Sequence, residues 1–81
     1  MRIDKFLKVS RLIKRRTVAN EACGAGRVTV NGRVAKAGAD VSPGDIVEIG
    51  FGEKKVKIEI VKVSEHVSKD DAPLMYKILE G

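Results

Sequence analysis

Arg27-Val28-Thr29-Val30-Asn31-Gly32-Arg33-Val34 is the clearest hairpin in the chain, and everything else arranges itself around it. Val28 and Val30 alternate with Arg27 and Thr29, the period-two pattern of a strand with one buried face. Asn-Gly is the preferred pair for a type I′ turn, because both residues tolerate positive φ. The same alternation puts Arg27, Thr29 and Asn31 on the outer face.

Beyond the hairpin the chain reads as more strand. Ser42-Pro43-Gly44-Asp45 has the form of a type II turn, with Pro at the second position and Gly at the third. It feeds a strand over 46–51, after which Gly50 and Gly52 mark another turn. Val56, Ile58 and Ile60 alternate with Lys55, Lys57 and Glu59, so 55–63 is expected to be a long strand. Its phase slips at Ile60-Val61, which predicts a bulge or strong twist there. A polar loop over 64–74 carries the charge run Lys69-Asp70-Asp71, and 75–79 closes the chain as a short strand.

Before the hairpin the period changes to that of helices. Ile3, Phe6 and Leu7 form one apolar stripe, with Arg2, Lys5 and Lys8 on the opposite side and Asp4 favouring the helix start. Ser10 breaks this helix, and Leu12 and Ile13 tuck a connecting turn against the core. A second helix is expected to open between Arg15 and Thr17. Val18, Ala19, Ala22 and Cys23 form its apolar face, and Gly24 and Gly26 end it. Two helices followed by four or five strands give an α+β fold, with both helices on one side of a small curled antiparallel or mixed sheet. At 81 residues the chain is one small domain, with no room for a second.

Charge is divided as sharply as structure. The first 36 residues hold ten Lys/Arg against two acids, a net of +8; residues 37–81 hold six Lys against nine acids, a net of −3. Solubility alone needs no such division, whereas a polyanion-binding face does. Lys14, Arg15 and Arg16 crowd the start of the second helix, where the macrodipole is already positive. That is a poor arrangement for the helix and a good one for a phosphate, since backbone N–H groups converge there too. Among the seven basic residues Arg2, Lys5, Lys8, Arg11, Lys14, Arg15 and Arg16, arginine outnumbers lysine, which suits bidentate phosphate contact.

Other chemistry finds little support. One cysteine and one histidine make no metal cluster, and a single Cys23 fits a reducing cytoplasm. No nucleophile–base pair or phosphate-binding glycine loop stands out, so neither an enzyme nor a cofactor is expected. No apolar run is long enough for a membrane span, and a monomer is expected. Phe6 and Phe51 read as core residues. With aromatics at 4%, recognition of a polyanion's shape and backbone is expected to outweigh base stacking. His66, in the polar loop, reads as a bystander.

From Arg2 to Ile49 the chain resembles the S4-like RNA-binding domain. The matching pieces are Arg2-Ile3-Asp4-Lys5-Phe6-Leu7, Arg16-Thr17-Val18-Ala19, Gly26-Arg27-Val28-Thr29-Val30-Asn31-Gly32 and Val41-Ser42-Pro43-Gly44-Asp45, in order and at the right spacing. The resemblance implies an S4-like fold with the αL motif. It divides residues 1–81 into an RNA-binding core over 1–50 and C-terminal strands over 51–81. It also implies RNA contact by Arg2, Lys5, Lys8, Arg11, Lys14, Arg15, Arg16, Thr17, Arg27 and Asn31. Within the family, residues 2–17 and 75–79 look most like the RqcP-type proteins of bacterial ribosome-associated quality control.

That likeness implies a non-enzymatic factor binding rRNA and tRNA on obstructed large ribosomal subunits. It would work beside an RqcH-type factor that adds alanine tails to the stalled chain. The heat-shock S4 proteins, which act on subunits with stalled peptidyl-tRNA, are the nearest alternative, and a docking subunit for an RNA-modifying enzyme is another. The family's second helix often opens with Ser-Arg-Ser. Here Arg15-Arg16-Thr17 stands in its place, a charge where the capping serine would be.

Overall fold

A computed structural model describes all 81 residues, 1–81. Two helices, α1 (Ile3–Val9) and α2 (Arg16–Gly24), pack on a five-stranded sheet. Its strands are β1 (Val28–Val30), β2 (Arg33–Val34), β3 (Ile46–Phe51), β4 (Lys54–Ile60) and β5 (Tyr76–Glu80), with a 3-10 turn at Ala72–Met75 just before β5. They lie in the order β2-β1-β3-β4-β5, and every pairing is antiparallel. The expected α+β architecture is therefore present, with five strands.

The hairpin forms as its sequence demands. Asn31 and Gly32 take φ of 52° and 84°, as a type I′ turn requires, and Val30 pairs with Arg33. Asn31 does more than turn: its Oδ1 accepts the Ile46 N–H at 2.9 Å, and its Nδ2 donates to Asp45 Oδ1 at 3.1 Å. The side chain thus staples the hairpin to the entry of β3. Gly44, at φ 95°, completes the turn after Pro43, and the Asp45 N–H closes it on the Ser42 carbonyl at 3.1 Å.

Ile3, Phe6 and Leu7 are fully buried and meet Val28, Val47, Ile49, Ile58 and Ile60 from the sheet. The inner parity of β3 and β4 thus faces the helices, while Glu48, Lys57 and Glu59 point to the opposite face. Helix α1 is tied to the chain beyond β2. Arg2 bridges Asp40, the Ile3 N–H donates to the Ala39 carbonyl at 2.8 Å, and the Val41 N–H donates to the Met1 carbonyl at 2.8 Å.

Four expectations need correction. Phe51 is not core: it ends β3 beside Gly52 and remains 42% exposed. Val18 is 46% exposed rather than packed, because α2 buries only Ala19 and Cys23. Strand β4 stops at Ile60, and the sheet's register shift lies between Lys57 and Ile58, where Leu79 is the extra residue on β5. The phase slip at Val61 instead marks the strand end, where the N–H groups of Val61 and Lys62 both reach the Met75 carbonyl. Met75 itself is fully buried in the 3-10 turn, and β5 starts one residue later.

Candidate nucleic-acid interface

Asp4 organises the first part of the site. It lies in the first turn of α1, 2% exposed, and its Oδ1 accepts the Lys5 N–H at 2.7 Å, one of the donors that a helix start leaves unpaired. Two guanidinium groups converge on the same carboxylate: Arg2 Nε at 3.3 Å from Oδ1 and Arg16 Nε at 3.4 Å from Oδ2. Both arginine side chains stay about half exposed, at 51% and 46%. A buried carboxylate therefore holds two half-exposed guanidinium groups, one from the start of each helix, with Arg2 also donating an Nη2 hydrogen to Oδ2 at 3.3 Å. Burial alone would push the Asp4 carboxyl up; Arg16, the Lys5 N–H and Arg2 together outweigh it and hold it below its ordinary range.

Arg2 and Arg16 share a shallow hollow of about 460 Å³ with Asp4, Thr17, Asn20 and Glu21. It opens at the start of α2, where the N-cap residue Arg15 makes no side-chain cap. The first-turn N–H groups there are available to an oxygen ligand, in the way the substituted Ser-Arg-Ser pattern suggested.

A second, larger hollow of about 590 Å³ lies at the other end of α1. Lys8, Arg11 and Lys14 line it from the α1–α2 segment, and Glu65, His66 and Lys69 line it from the polar loop. Lys5 pairs with Glu65, which draws that loop onto α1. Arg11 occupies the left-handed region at φ 64°, its N–H returning to the Lys8 carbonyl at 3.1 Å. This conformation ends α1 and turns the chain toward α2.

Of the ten expected contact residues, the structure gathers Arg2, Arg16 and Thr17 at one hollow and Lys8, Arg11 and Lys14 at the other. Arg15 is exposed between them in sequence. Arg27 stands near Lys14, across a cleft lined by both. Lys5 is partly neutralised by Glu65, and Asn31 spends both of its polar atoms inside the fold, so neither stands with the free cations. Lys69 and His66, which sequence reading left in a polar loop, also line the larger hollow. They reach the basic face only through the return of the loop, and no local pattern announces that. Cys23 is buried, and burial first and the Asp4 charge second push its thiol up, as for a small core residue.

A family model for the S4 domain matches residues 1–47, the stretch that builds both helices, the hairpin and the entry to β3. The chain belongs to the S4 domain family. Among curated members it is similar to the "RQC P-site tRNA stabilizing factor" of Halalkalibacterium halodurans, 59% identical over 96% of this chain and 89% of that protein. It is also similar to the protein of the same name from Bacillus subtilis, 50% identical over 99% of this chain and 93% of that one. Among solved structures, Heat Shock Protein 15 of Vibrio cholerae superposes with a TM-score of 0.89 at 29% identity, covering 96% of this chain and 80% of that one. The matched stretch holds both helices, which line the two basic hollows, while the loop residues that complete the larger one lie beyond it.

Proposed function

We propose that this S4 domain protein is an RNA-binding factor of bacterial ribosome-associated quality control. It docks on rRNA and tRNA of obstructed large ribosomal subunits and supports alanine tailing of the stalled chain by an RqcH-type factor. The role is one of holding, without bond chemistry, and it places the protein in the cytoplasm on the ribosome. The observation that carries the reading is the pair of half-exposed guanidiniums fixed on one buried carboxylate, at the start of a stretch in which ten Lys/Arg face two acids over 36 residues. It is supported by similarity along almost the whole chain to proteins named for stabilising P-site tRNA.

Arg2 and Arg16 would take phosphates bidentately, beside the uncapped start of α2 and Thr17. Lys8, Arg11 and Lys14 would carry the contact along α1, with Arg15, Arg27 and, more weakly, Lys5 alongside. Asn31 keeps its place in the hairpin. Immunoprecipitation from cells with stalled translation, followed by RNA sequencing and mass spectrometry, tests the reading. Large-subunit rRNA, tRNA and the tailing factor are expected together, and all are expected to fall with Arg16→Ala. Normal recovery with Arg16→Ala would show that the α2 start is not the contact. The likeness to Heat Shock Protein 15 supports a second reading, recycling of free large subunits that carry stalled peptidyl-tRNA, without a tailing role. Subunit association that persists unchanged in cells lacking the tailing factor, together with normal tails in cells lacking this protein, would select it.

A further inference from the structure

A cleft of about 440 Å³ opens between α2 and the β3–β4 hairpin, floored by apolar side chains and edged by cations. Leu12, Val18, Ala22 and Phe51 supply the apolar surface, and Lys14 and Arg27 stand at its rim. No acidic residue lines it. Phe51 and Val18 keep 42% and 46% of their surface exposed. Gly50 and Gly52 flank Phe51 and add no side chain that could cover its ring. Arg27 is fixed beside the cleft, because its carbonyl accepts the Gly50 N–H at 2.8 Å. Of the three aromatic residues, Phe6 is fully buried and Tyr76 half-buried, so Phe51 alone shows much of its ring.

We infer that this cleft receives one unstacked nucleobase of the bound RNA, laid on the Phe51 ring, with the adjoining phosphates on Lys14 and Arg27. The inference rests on the RNA-binding reading and adds a base contact to a surface otherwise suited to phosphates. Two observations decide the occupant. An apolar floor with a purely cationic rim matches a ligand that is flat and apolar on its faces and anionic along its edge, which describes a single-stranded nucleotide. Lys14 also lines the larger basic hollow, so a strand whose phosphates lie there passes the cleft mouth.

The test uses a single-stranded RNA oligonucleotide carrying 2-aminopurine and, beside it, a fully paired RNA hairpin. Affinity is read by anisotropy and stacking by 2-aminopurine fluorescence. Phe51→Ala is expected to weaken the single strand by roughly fivefold or more and to abolish quenching, with hairpin affinity unchanged. Phe51→Tyr, which keeps a ring, is expected to bind like wild type; Phe51→Leu, which keeps only apolar bulk, is expected to remain weak. Equal single-strand affinity for wild type and Phe51→Ala, with quenching retained, would overturn the base contact and leave the RNA reading standing. Wild-type protein that binds neither RNA would overturn both. Concentration-dependent self-association that disappears in Phe51→Ala, with RNA affinity intact, would overturn it in favour of a contact between copies of this chain.

Discussion

At the scale of single residues, Asp4 shows how a negative charge can serve a polyanion site. Counted by net charge, Asp4→Asn adds to the positive surface and should tighten RNA binding. Counted by geometry, it frees Arg2 and Arg16 from their common anchor and sets two cations side by side without a counter-charge. The second account is expected to win: RNA affinity falls in a filter-binding titration, and stability falls by about 1.5–3 kcal/mol, the range for hydrogen bonds to a charged group. The pH dependence follows from the same carboxylate. Its pKa is depressed in the folded state, so its contribution is present in full above the unfolded value near 3.9 and is lost as pH falls through the folded value. Acid titration below about pH 4 should therefore unfold wild type more steeply than Asp4→Asn. The sequence shows Asp4 as a favourable helix-start residue. Its meeting with Arg16 depends on how two helices cross, which no local pattern states.

At the scale of elements, legibility follows the range of the forces involved. The hairpin turn was readable because Asn31-Gly32 settles it within two residues, and the α1 stripe because Ile3, Phe6 and Leu7 share one face whatever they meet. The exposure of Phe51 and Val18 was not, since it depends on how far α2 stands from the end of β3. The junction between the helices stores a conflict of the same kind. Arg11 holds a left-handed conformation that glycine would adopt freely and that costs other residues about 1–2 kcal/mol. Arg11→Gly is expected to raise the melting temperature by several degrees, at ~4–8 °C per kcal/mol for a domain of this size. The same change is expected to weaken RNA binding, since it removes a cation from the larger hollow. A calorimetric scan and a titration on one sample check both signs. Loss of stability would mean that the guanidinium contributes more to the fold than the backbone strain costs.

At the scale of the whole molecule, helices and their cations lie on one side of the sheet, and the other side mixes Glu48, Lys57 and Glu59. The charge asymmetry of the sequence survives as a surface asymmetry, with one amendment: the loop bearing His66 and Lys69 returns from the acidic half to complete a basic hollow. Binding that neutralises about five phosphates should give a log–log salt slope of roughly −3.5 to −4.5. A slope near −1, measured by anisotropy on a structured RNA, would mean that most of these cations stay solvated. The outward fold class was readable because helix-period and strand-period stretches are segregated along the chain. The arrangement of the two hollows was not, because one depends on how the two helices cross and the other on a loop some sixty positions along the chain. The weaving of the first residues into the 37–41 segment has a practical consequence for reagents. The Met1 ammonium lies 3.7 Å from Asp40, and Arg2 follows immediately. A purification tag or fluorophore fused ahead of Met1 would erase that ammonium and crowd the first guanidinium, so labels belong at the exposed Gly81 end.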